Sequence, residues 1–469
     1  MEKITIMYFK KSYLKNPPCN PQFLGKKKQL LTRILIIIYV LLLTEGILRK
    51  WIFPEFGRVL FFIRDPFVIW AYWLGLRLNL WSRPHPLFLG GLSFAIIALL
   101  LAVYEAFFEE ISPVFIFYGF RNYFLYIPLP FLMERALSKE QLDKVAKWTL
   151  LYSIPMAPLC FLQTISPSDS PINAGFAQDP ELAYKNLGVY GEIQRASGTF
   201  TFVLGLSLFI ASCLGFFIYL LFKNKNQKFL KGFLTWIVGG AVLVNILVSG
   251  SRMAFILCFL VLVGSLIAGL RSGLIKQSIN FIIVLVIMAI VSVFFSLTIF
   301  SNIVGAMQER WTGASENEGG YLMLERIAGD LIRFIDVMDN VPFLGFGIGT
   351  AGNAYTILQG EQSLYVEDDW SRNIYELGPL FGLLYLAYRF SLVIYLGLRC
   401  WKATAILKNP LPLILYSFVG PILFNGQITS QGTANGYGWI FTGFCLVASR
   451  IIPTSSPERP YNTLFRTML

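Results

Sequence analysis

Four arginines stand beside long apolar segments and have the chemistry needed to bind phosphate groups: Arg195, Arg252, Arg326 and Arg372. A guanidinium group presents a planar set of donors that matches two phosphate oxygens, and it stays charged at any physiological pH. Arg252 ends the short turn Ser249-Gly250-Ser251-Arg252, where two apolar runs come close together. Arginines that converge from separate segments predict a diphosphate site at the edge of the apolar region. The alternative is that each is an interfacial anchor or the partner of a nearby acid.

Two of these arginines belong to the longest polar stretch of the chain, residues 302–378. This stretch is crowded with charged side chains: Arg310, Arg326, Asp330, Arg333, Asp336, Asp339, Glu367, Asp368, Asp369, Arg372 and Glu376. Long connections without regular structure are uncommon and are often functional. The polar stretch is therefore where chemistry is expected.

Several other kinds of chemistry lack the residues that they require. Cys160, Cys213, Cys258 and Cys445 lie in apolar runs, Cys19 and Cys400 lie in basic flanks, and the only histidine, His85, lies between two prolines. This pattern predicts no metal site and no disulfide framework. The Gly345-x-Gly347-x-Gly349 series lacks the spacing of a nucleotide-binding loop and indicates a flexible, closely packed turn. No cofactor is expected.

The elements that must position the charged residues are membrane-spanning helices. The chain is 55% hydrophobic and 14% charged, whereas a soluble domain is about 25% charged. Apolar runs of about 20 residues cross the hydrocarbon core, where only a helix satisfies the backbone. The sequence predicts an all-α polytopic protein with about twelve spans, at 30–48, 59–76, 87–108, 113–133, 148–165, 199–222, 232–249, 253–270, 279–301, 379–398, 410–425 and 438–452.

The charge of the connections predicts the orientation of these spans. Lys and Arg concentrate in cytoplasmic loops, and here they concentrate in the N-terminal tail and in alternate loops, such as those that hold Arg135, Lys225, Arg271 and Arg399. The net charge of +12 therefore indicates topology rather than nucleic-acid binding. We predict a basic cytoplasmic tail (1–29), nine spans (30–301), an extracytoplasmic catalytic loop (302–378), three spans (379–452) and a cytoplasmic tail (453–469), in a bacterial inner membrane.

Among the charged residues inside the predicted spans, four lie away from the span ends. They are Arg64, Asp65, Arg121 and Arg389. Charges at membrane depth face an interior or a wet cavity, and they pair for structural reasons as often as for functional ones. Both interpretations stay open from the sequence alone.

Residues 322–337 of the polar stretch have the spacing of an amphipathic helix. Apolar side chains recur at helical intervals from Leu324 to Val337. Arg326, Asp330 and Arg333 are spaced at i, i+4 and i+7 and therefore share one face. We expect this helix to lie along the outer surface of the membrane.

Several motifs, in this order, resemble the O-antigen ligase and O-antigen polymerase family of bacterial envelope glycosyltransferases. Arg195-Ala-Ser-Gly-Thr-Phe200 is similar to the family's segment before a mid-chain span, and Ser249-Gly-Ser-Arg252 is similar to its SGSR turn. Glu325-Arg326 and Asn340 to Gly349 resemble the arginine and the glycine-rich part of its outward loop. Glu376-Leu-Gly378 resembles the start of its next span. The matches cover roughly residues 195–390.

This resemblance implies a fold of the C-type glycosyltransferase kind and a metal-independent enzyme. Family members transfer a glycan from undecaprenyl diphosphate to an acceptor glycan or lipid on the outer face of the membrane. Arg252 and Arg326 are expected to hold the donor diphosphate, and Arg195 and Arg372 to support it or contact sugar. Membrane lipids and other polysaccharide-assembly proteins are the further partners expected.

The sequence departs from the family at one position. Many ligases have a histidine about nine residues before the acid that Glu376 matches, and here that residue is Glu367. The resemblance then implies that the base is Glu367, Asp368 or Asp369. The departure argues against a ligase that acts on a lipid A core and favours a polymerase or another glycan-transferring branch, and polymerase and ligase both stay open. The alternative function is a transporter or flippase of polysaccharide or lipid-linked oligosaccharide, with charges spread across the midplane; a receptor or assembly scaffold is the third.

Overall fold

A computed structural model describes residues 21–81, 84–108, 112–167, 169–174, 189–190, 193–223, 230, 232–274, 323–351 and 368–451. These residues form fourteen α-helices: α1 Pro21–Ile47, α2 Gly57–Leu60, α3 Asp65–Arg77, α4 Pro86–Phe108, α5 Pro113–Phe120, α6 Leu129–Ala136, α7 Lys139–Ile165, α8 Val203–Phe222, α9 Phe233–Val248, α10 Arg252–Arg271, α11 Met323–Met338, α12 Asp369–Leu407, α13 Leu411–Asn425 and α14 Gly432–Ala448. Short strands β1 (Val189–Tyr190) and β2 (Ile193–Gln194) pair antiparallel, with Val189 opposite Gln194. The predicted all-α class is confirmed.

Seven of the described helical segments are long and apolar enough to cross a membrane. They are Gly25–Ile52, Pro54–Arg77, Pro86–Phe107, Lys139–Ile165, Val203–Phe222, Arg252–Arg271 and Asp369–Leu407. Phe233–Val248 and Leu411–Asn425 are shorter apolar helices, and the span predicted at 279–301 lies outside the described residues. The chain is thus a helical membrane protein, and the number twelve stays a prediction.

The burial of individual helices agrees with a bundle surrounded by lipid. Helix α8 is buried on almost every side, as expected for a helix that is apolar all round and lies at the centre. Helix α4 instead exposes a stripe of large apolar side chains that includes Ile96, Leu100, Val103 and Phe107. Such a stripe is stable only where acyl chains replace water against it.

The span predicted at 113–133 is broken into pieces. Helix α5 ends at Phe120, the backbone widens into a π-helical turn over Arg121–Leu125, and α6 begins at Leu129. Pro128 and Pro130 have no backbone N–H to donate, so a continuous helix cannot be maintained through them. The break holds Arg121 and Asn122 in the protein interior.

The helix that contains the span predicted at 379–398 begins before the apolar run of that span. Helix α12 starts at Asp369 and is interrupted at Gly378, whose φ of 77° and ψ of 167° are not helical. Helix α11, predicted over 322–337, is present and packs against α12 through a contact between the rings of Phe334 and Trp370. It therefore covers α12 in addition to presenting an exposed face.

At one end of the bundle, α1, α7, α9 and α13 end and α8, α10, α12 and α14 begin. We call this region the charged end. The hydroxyl of Thr199 donates to the carbonyl of Leu43 at 2.9 Å, and Thr164 at the end of α7 donates to Val248 at 3.3 Å. The opposite end carries ion pairs of its own, such as Lys223 with Asp143 at 2.7 Å. The sequence predicts that the charged end faces outward.

Candidate functional site

The segment 195–200 crosses the charged end without regular structure, and a buried glutamine satisfies its backbone. The Gln163 side chain accepts hydrogen bonds from the backbone N–H groups of Ser197 (3.2 Å) and Gly198 (2.7 Å). Its amide nitrogen donates to the carbonyl of Gly198 at 3.1 Å. These bonds replace those that a helix would supply, so the segment has a defined course.

A buried lysine holds the same segment from the other side. The ammonium of Lys50 donates to the hydroxyl of Ser197 (3.0 Å) and to the carbonyls of Gly198 (2.8 Å) and Phe200 (3.0 Å). Lys50 is 3% exposed, and among the described residues no carboxylate lies within ion-pair distance of it. Three neutral acceptors therefore solvate a cation whose charge is not cancelled locally.

The first residue of this segment, Arg195, lies beside the turn that carries Arg252. Gly250 has a φ of 57°, and a Cβ placed there would lie 3.1 Å from Cγ of Arg195. The hydroxyl groups of Ser251 and Ser207 are hydrogen-bonded at 2.9 Å, which fixes the turn to α8. Arg252 is the first residue of α10, so its positive charge adds to that of the helix N-terminus. Two of the four predicted arginines thus meet at one place.

A second group of predicted residues occupies the first turns of α12. Arg372 is buried, and its Nη1 lies 3.9 Å from Oε1 of Glu376, one turn further on. The same oxygen of Glu376 accepts a hydrogen bond from the backbone of Ala351 at 3.0 Å. Between them, the fully buried amide of Asn373 has no hydrogen-bond partner in the described part of the chain. An amide group that is buried without a partner is costly to the folded state.

The glycine series closes on the break in α12. Gly345, Gly347 and Gly349 have φ values of 81°, 97° and 90°, in the region that glycine adopts without strain. The N–H of Gly347 donates to the carbonyl of Glu376 at 3.2 Å. The predicted close packing of this turn is confirmed, and its backbone holds Glu376 in place.

The packing of this turn leads to a prediction for Gly378. A Cβ at this position would collide with the carbonyl of Phe343 and the N–H of Gly345. We expect Gly378→Ala to destabilise the folded protein by about 2 kcal/mol or more, because both the positive φ and the collision oppose it. Gly329→Ala is the control, because that site in α11 has open space. Thermal unfolding in detergent compares the two; equal melting temperatures would contradict the expectation.

Of the three predicted acids, Asp369 is fully engaged in structural contacts. One carboxylate oxygen forms an ion pair with Arg389, and the other accepts hydrogen bonds from the N–H and the hydroxyl of Thr429. Arg389 also donates to the carbonyl of Leu423 at the end of α13, at 2.9 Å. All of these groups are buried. The pair ties α12 to α13 and to the loop that follows it.

Asp368 keeps one oxygen that is not used in a hydrogen bond. Its Oδ2 accepts from the N–H of Ser371 at 2.8 Å and so caps α12. Its Oδ1 is buried without a hydrogen-bond partner among the described residues and lies 4.0 Å from Nη1 of Arg333 on α11. Glu367 lies outside the described residues, and so does the side chain of Arg326, although its backbone belongs to α11.

Arg64, Asp65, Arg121 and Arg389, the charges singled out inside the spans, all belong to buried ion pairs. Arg64 contacts Glu45 at 2.9 Å and donates to the carbonyl of Gly432 at 2.8 Å. Arg121 binds both oxygens of Asp65, at 2.9 and 3.1 Å. The contact with Gly432, the first residue of α14, places these pairs at the charged end. Pairing of this kind favours the structural interpretation.

Two residues of this region were absent from the predicted site. Lys50 follows Arg49 directly at the end of an apolar run, and its pairing with a segment 150 residues away leaves no trace in local spacing. The sequence places Glu376 in the charged stretch and in a motif without a role of its own, whereas the structure places it between Arg372 and the glycine turn. For Lys50, the only available signal was a pair of cations at the outer limit of the first span.

Comparison with known proteins returned no matching family model, no matching curated protein and no matching solved structure. The resemblance to the O-antigen ligase and polymerase family therefore depends on the short motifs alone. Any conclusion about function must therefore be based on the geometry of the charged end.

Proposed function

We propose that this protein transfers or polymerises a glycan carried on undecaprenyl diphosphate, at the outer face of a bacterial inner membrane. The observation that supports this most is the position of Arg195 against Gly250, beside Arg252 and the N-terminus of α10. Two arginine residues beside one turn, together with a helix N-terminus, suit a diphosphate. Lys50 holds in place the segment that follows Arg195, through hydrogen bonds to Ser197 and Gly198.

In the proposed reaction, an acceptor hydroxyl attacks the anomeric carbon of the donor sugar. The new glycosidic bond forms as the bond between that carbon and the diphosphate oxygen breaks, and the electron pair leaves with undecaprenyl diphosphate. Negative charge therefore grows on the leaving group in the transition state. Fixed cations near lipid stabilise that charge without reorganising, which is where their catalytic effect arises.

The hydroxyl proton needs an acceptor, and Asp368 is the strongest of the described acids for this role. Its Oδ1 accepts no hydrogen bond within the described part of the chain, whereas both oxygens of Asp369 interact with Arg389 and Thr429. Arg333, at 4.0 Å, would stabilise the carboxylate before the reaction. The amide of Asn373 lies in the same turns of α12 and is suited to a sugar hydroxyl.

The rival proposal of a transporter or flippase finds less support in the buried charges. A transport pathway would place charges near the midplane. Here Arg64 and Arg121 each have an acid partner, and Arg64 contacts the start of α14 at the charged end. These pairs are explained by the packing of helix ends.

Reconstitution separates the two proposals directly. The purified protein in liposomes is given a lipid-linked oligosaccharide, with no nucleotide sugar and with a chelator present. We expect longer glycans or a glycosylated acceptor, detected by mass spectrometry, together with release of undecaprenyl diphosphate. Movement of the intact lipid-linked oligosaccharide between leaflets, without any new glycosidic bond, would contradict the enzyme proposal.

A further inference from the structure

Two adjoining cavities open at the opposite end of the bundle, away from the site described above. Their volumes are about 330 and 630 Å³, and Arg135 and Arg450 line both. The smaller cavity lies against α1 and the start of α7, and the larger lies between the end of α3, the start of α4 and Arg399 of α12. The sequence predicts that this end of the protein faces the cytoplasm.

The charged side chains that line these cavities are mostly cationic. Lys28, Arg135, Arg399 and Arg450 contribute four positive charges and Glu134 one negative charge, which leaves +3. Glu134 is already the ion-pair partner of Arg399. Burial lowers the pKa of His85, which also lines the larger cavity, so its imidazole is neutral at physiological pH. The excess of positive charge in these cavities attracts anions.

Arg450 lines both cavities, and its hydrogen bonds within the described part of the chain engage only part of its guanidinium group. Its Nη1 donates to the carbonyl of Glu134 at 2.8 Å. Its Nε is buried and has no hydrogen-bond partner among the described residues. Ser138, which also lines the smaller cavity, caps the N-terminus of α7 by accepting from the N–H of Gln141 at 3.3 Å. Arginine side chains that line the same cavity as a helix N-terminus suit a phosphate oxygen.

The larger cavity also has an apolar wall. The rings of Trp81 and Phe88 stack with centroids 4.9 Å apart, and those of His85 and Phe131 with centroids 5.6 Å apart. This wall continues into α4, whose exposed apolar stripe faces lipid. Aromatic side chains at the limit of an apolar region mark the level of lipid headgroups.

We propose that the cavities around Arg135 and Arg450 form a binding site for a phosphate group. Two sources share this chemistry, the headgroup of an anionic phospholipid in the cytoplasmic leaflet and a free soluble phosphate. The apolar wall and the position at the helix ends favour the phospholipid, because anionic lipids concentrate there and attract cationic side chains. The site is separate from the proposed glycan-transfer site, which lies at the other end of the bundle.

Native mass spectrometry of protein released from nanodiscs tests the proposal. Nanodiscs contain either phosphatidylglycerol or only phosphatidylcholine, and a third sample adds inorganic phosphate to the phosphatidylcholine nanodiscs. We expect the wild-type protein to retain phosphatidylglycerol, and Arg450→Gln to weaken that retention about fivefold or more. Lys402→Gln is the control, because Lys402 is an exposed cation at the same end that lines neither cavity.

The outcomes separate the sources and can overturn the site. Retention of phosphatidylglycerol that depends on Arg450 supports a lipid headgroup, and bound inorganic phosphate that depends on Arg450 supports a soluble source. Equal retention by wild type, Arg450→Gln and Lys402→Gln in every sample would overturn the site. If Arg450→Gln does not fold, Lys28→Gln replaces it. Lys28 is exposed on α1 and lines the smaller cavity, and an unchanged retention in that variant would overturn the proposal equally.

Discussion

Arg252→Ala is expected to lower the rate of the proposed glycan transfer by about 100-fold or more, because it removes the fixed cation that we assign to the leaving diphosphate. The loss should appear mainly in kcat. The charge on the diphosphate grows in the transition state, so the arginine contributes more there than in the ground state. The measurement is the initial rate of product formation in liposomes, with lipid-linked oligosaccharide as the only glycan donor.

The chain provides a matched control on the same helix. Arg271 is the last residue of α10, is exposed, and stacks over the ring of Trp401 at 4.8 Å. It lies at the opposite end of the bundle, so Arg271→Ala should leave the rate within about twofold of wild type if position rather than charge alone matters. Arg252→Lys should recover only part of the activity, because an ammonium cannot bind two phosphate oxygens in the same way. Similar rates for Arg252→Ala and Arg271→Ala would refute the proposed diphosphate site.

Arg195→Ala tests the second member of this pair. Arg195 lies against Gly250, so its removal changes both the charge near the diphosphate and the packing over the turn. We expect a loss of activity that is smaller than that of Arg252→Ala, and a double variant whose loss is less than the product of the two single losses. Residues that act on one group are not additive. Strict additivity would place the two arginines on different parts of the substrate.

The elements that depend on local patterns could be predicted from the sequence. Helix α11 was expected at 322–337 and extends over Met323–Met338, because an amphipathic period of 3.6 is encoded in consecutive residues. The turn at Gly250 was expected from small residues between two apolar runs and is present with a φ of 57°. In both cases the physical cause lies within a few residues of the effect.

The pairings that define the site were not predictable in this way. Lys50 is bound by a segment almost 150 residues away, and Asp369 by Thr429, 60 residues away. Hydropathy and spacing identify which residues are charged, but not which helix ends meet. The same holds for the span predicted at 113–133. Its apolar composition does not reveal the π-helical turn that buries Arg121 against Asp65.

Asp369→Asn is expected to destabilise the folded protein by about 3–5 kcal/mol, because it leaves the buried Arg389 without a counter-charge. Asp369 and Arg389 are each 1% exposed, so water cannot replace the lost partner. The melting temperature of the purified protein in detergent should fall by about 5 °C or more. Asp143→Asn is the control: its pair with Lys223 is partly exposed, and such pairs contribute about 0–1 kcal/mol.

The same substitution separates a structural acid from a catalytic base. If Asp369 acts through its pair with Arg389, the double variant Asp369→Asn with Arg389→Gln should regain much of the lost melting temperature, because it no longer contains an uncompensated buried charge. Activity should return with stability. Asp368→Asn should instead reduce transfer with little change in melting temperature, since the amide oxygen still accepts from the N–H of Ser371 and caps α12. A stable Asp369→Asn protein that has lost all transfer activity would reverse these roles and make Asp369 the base.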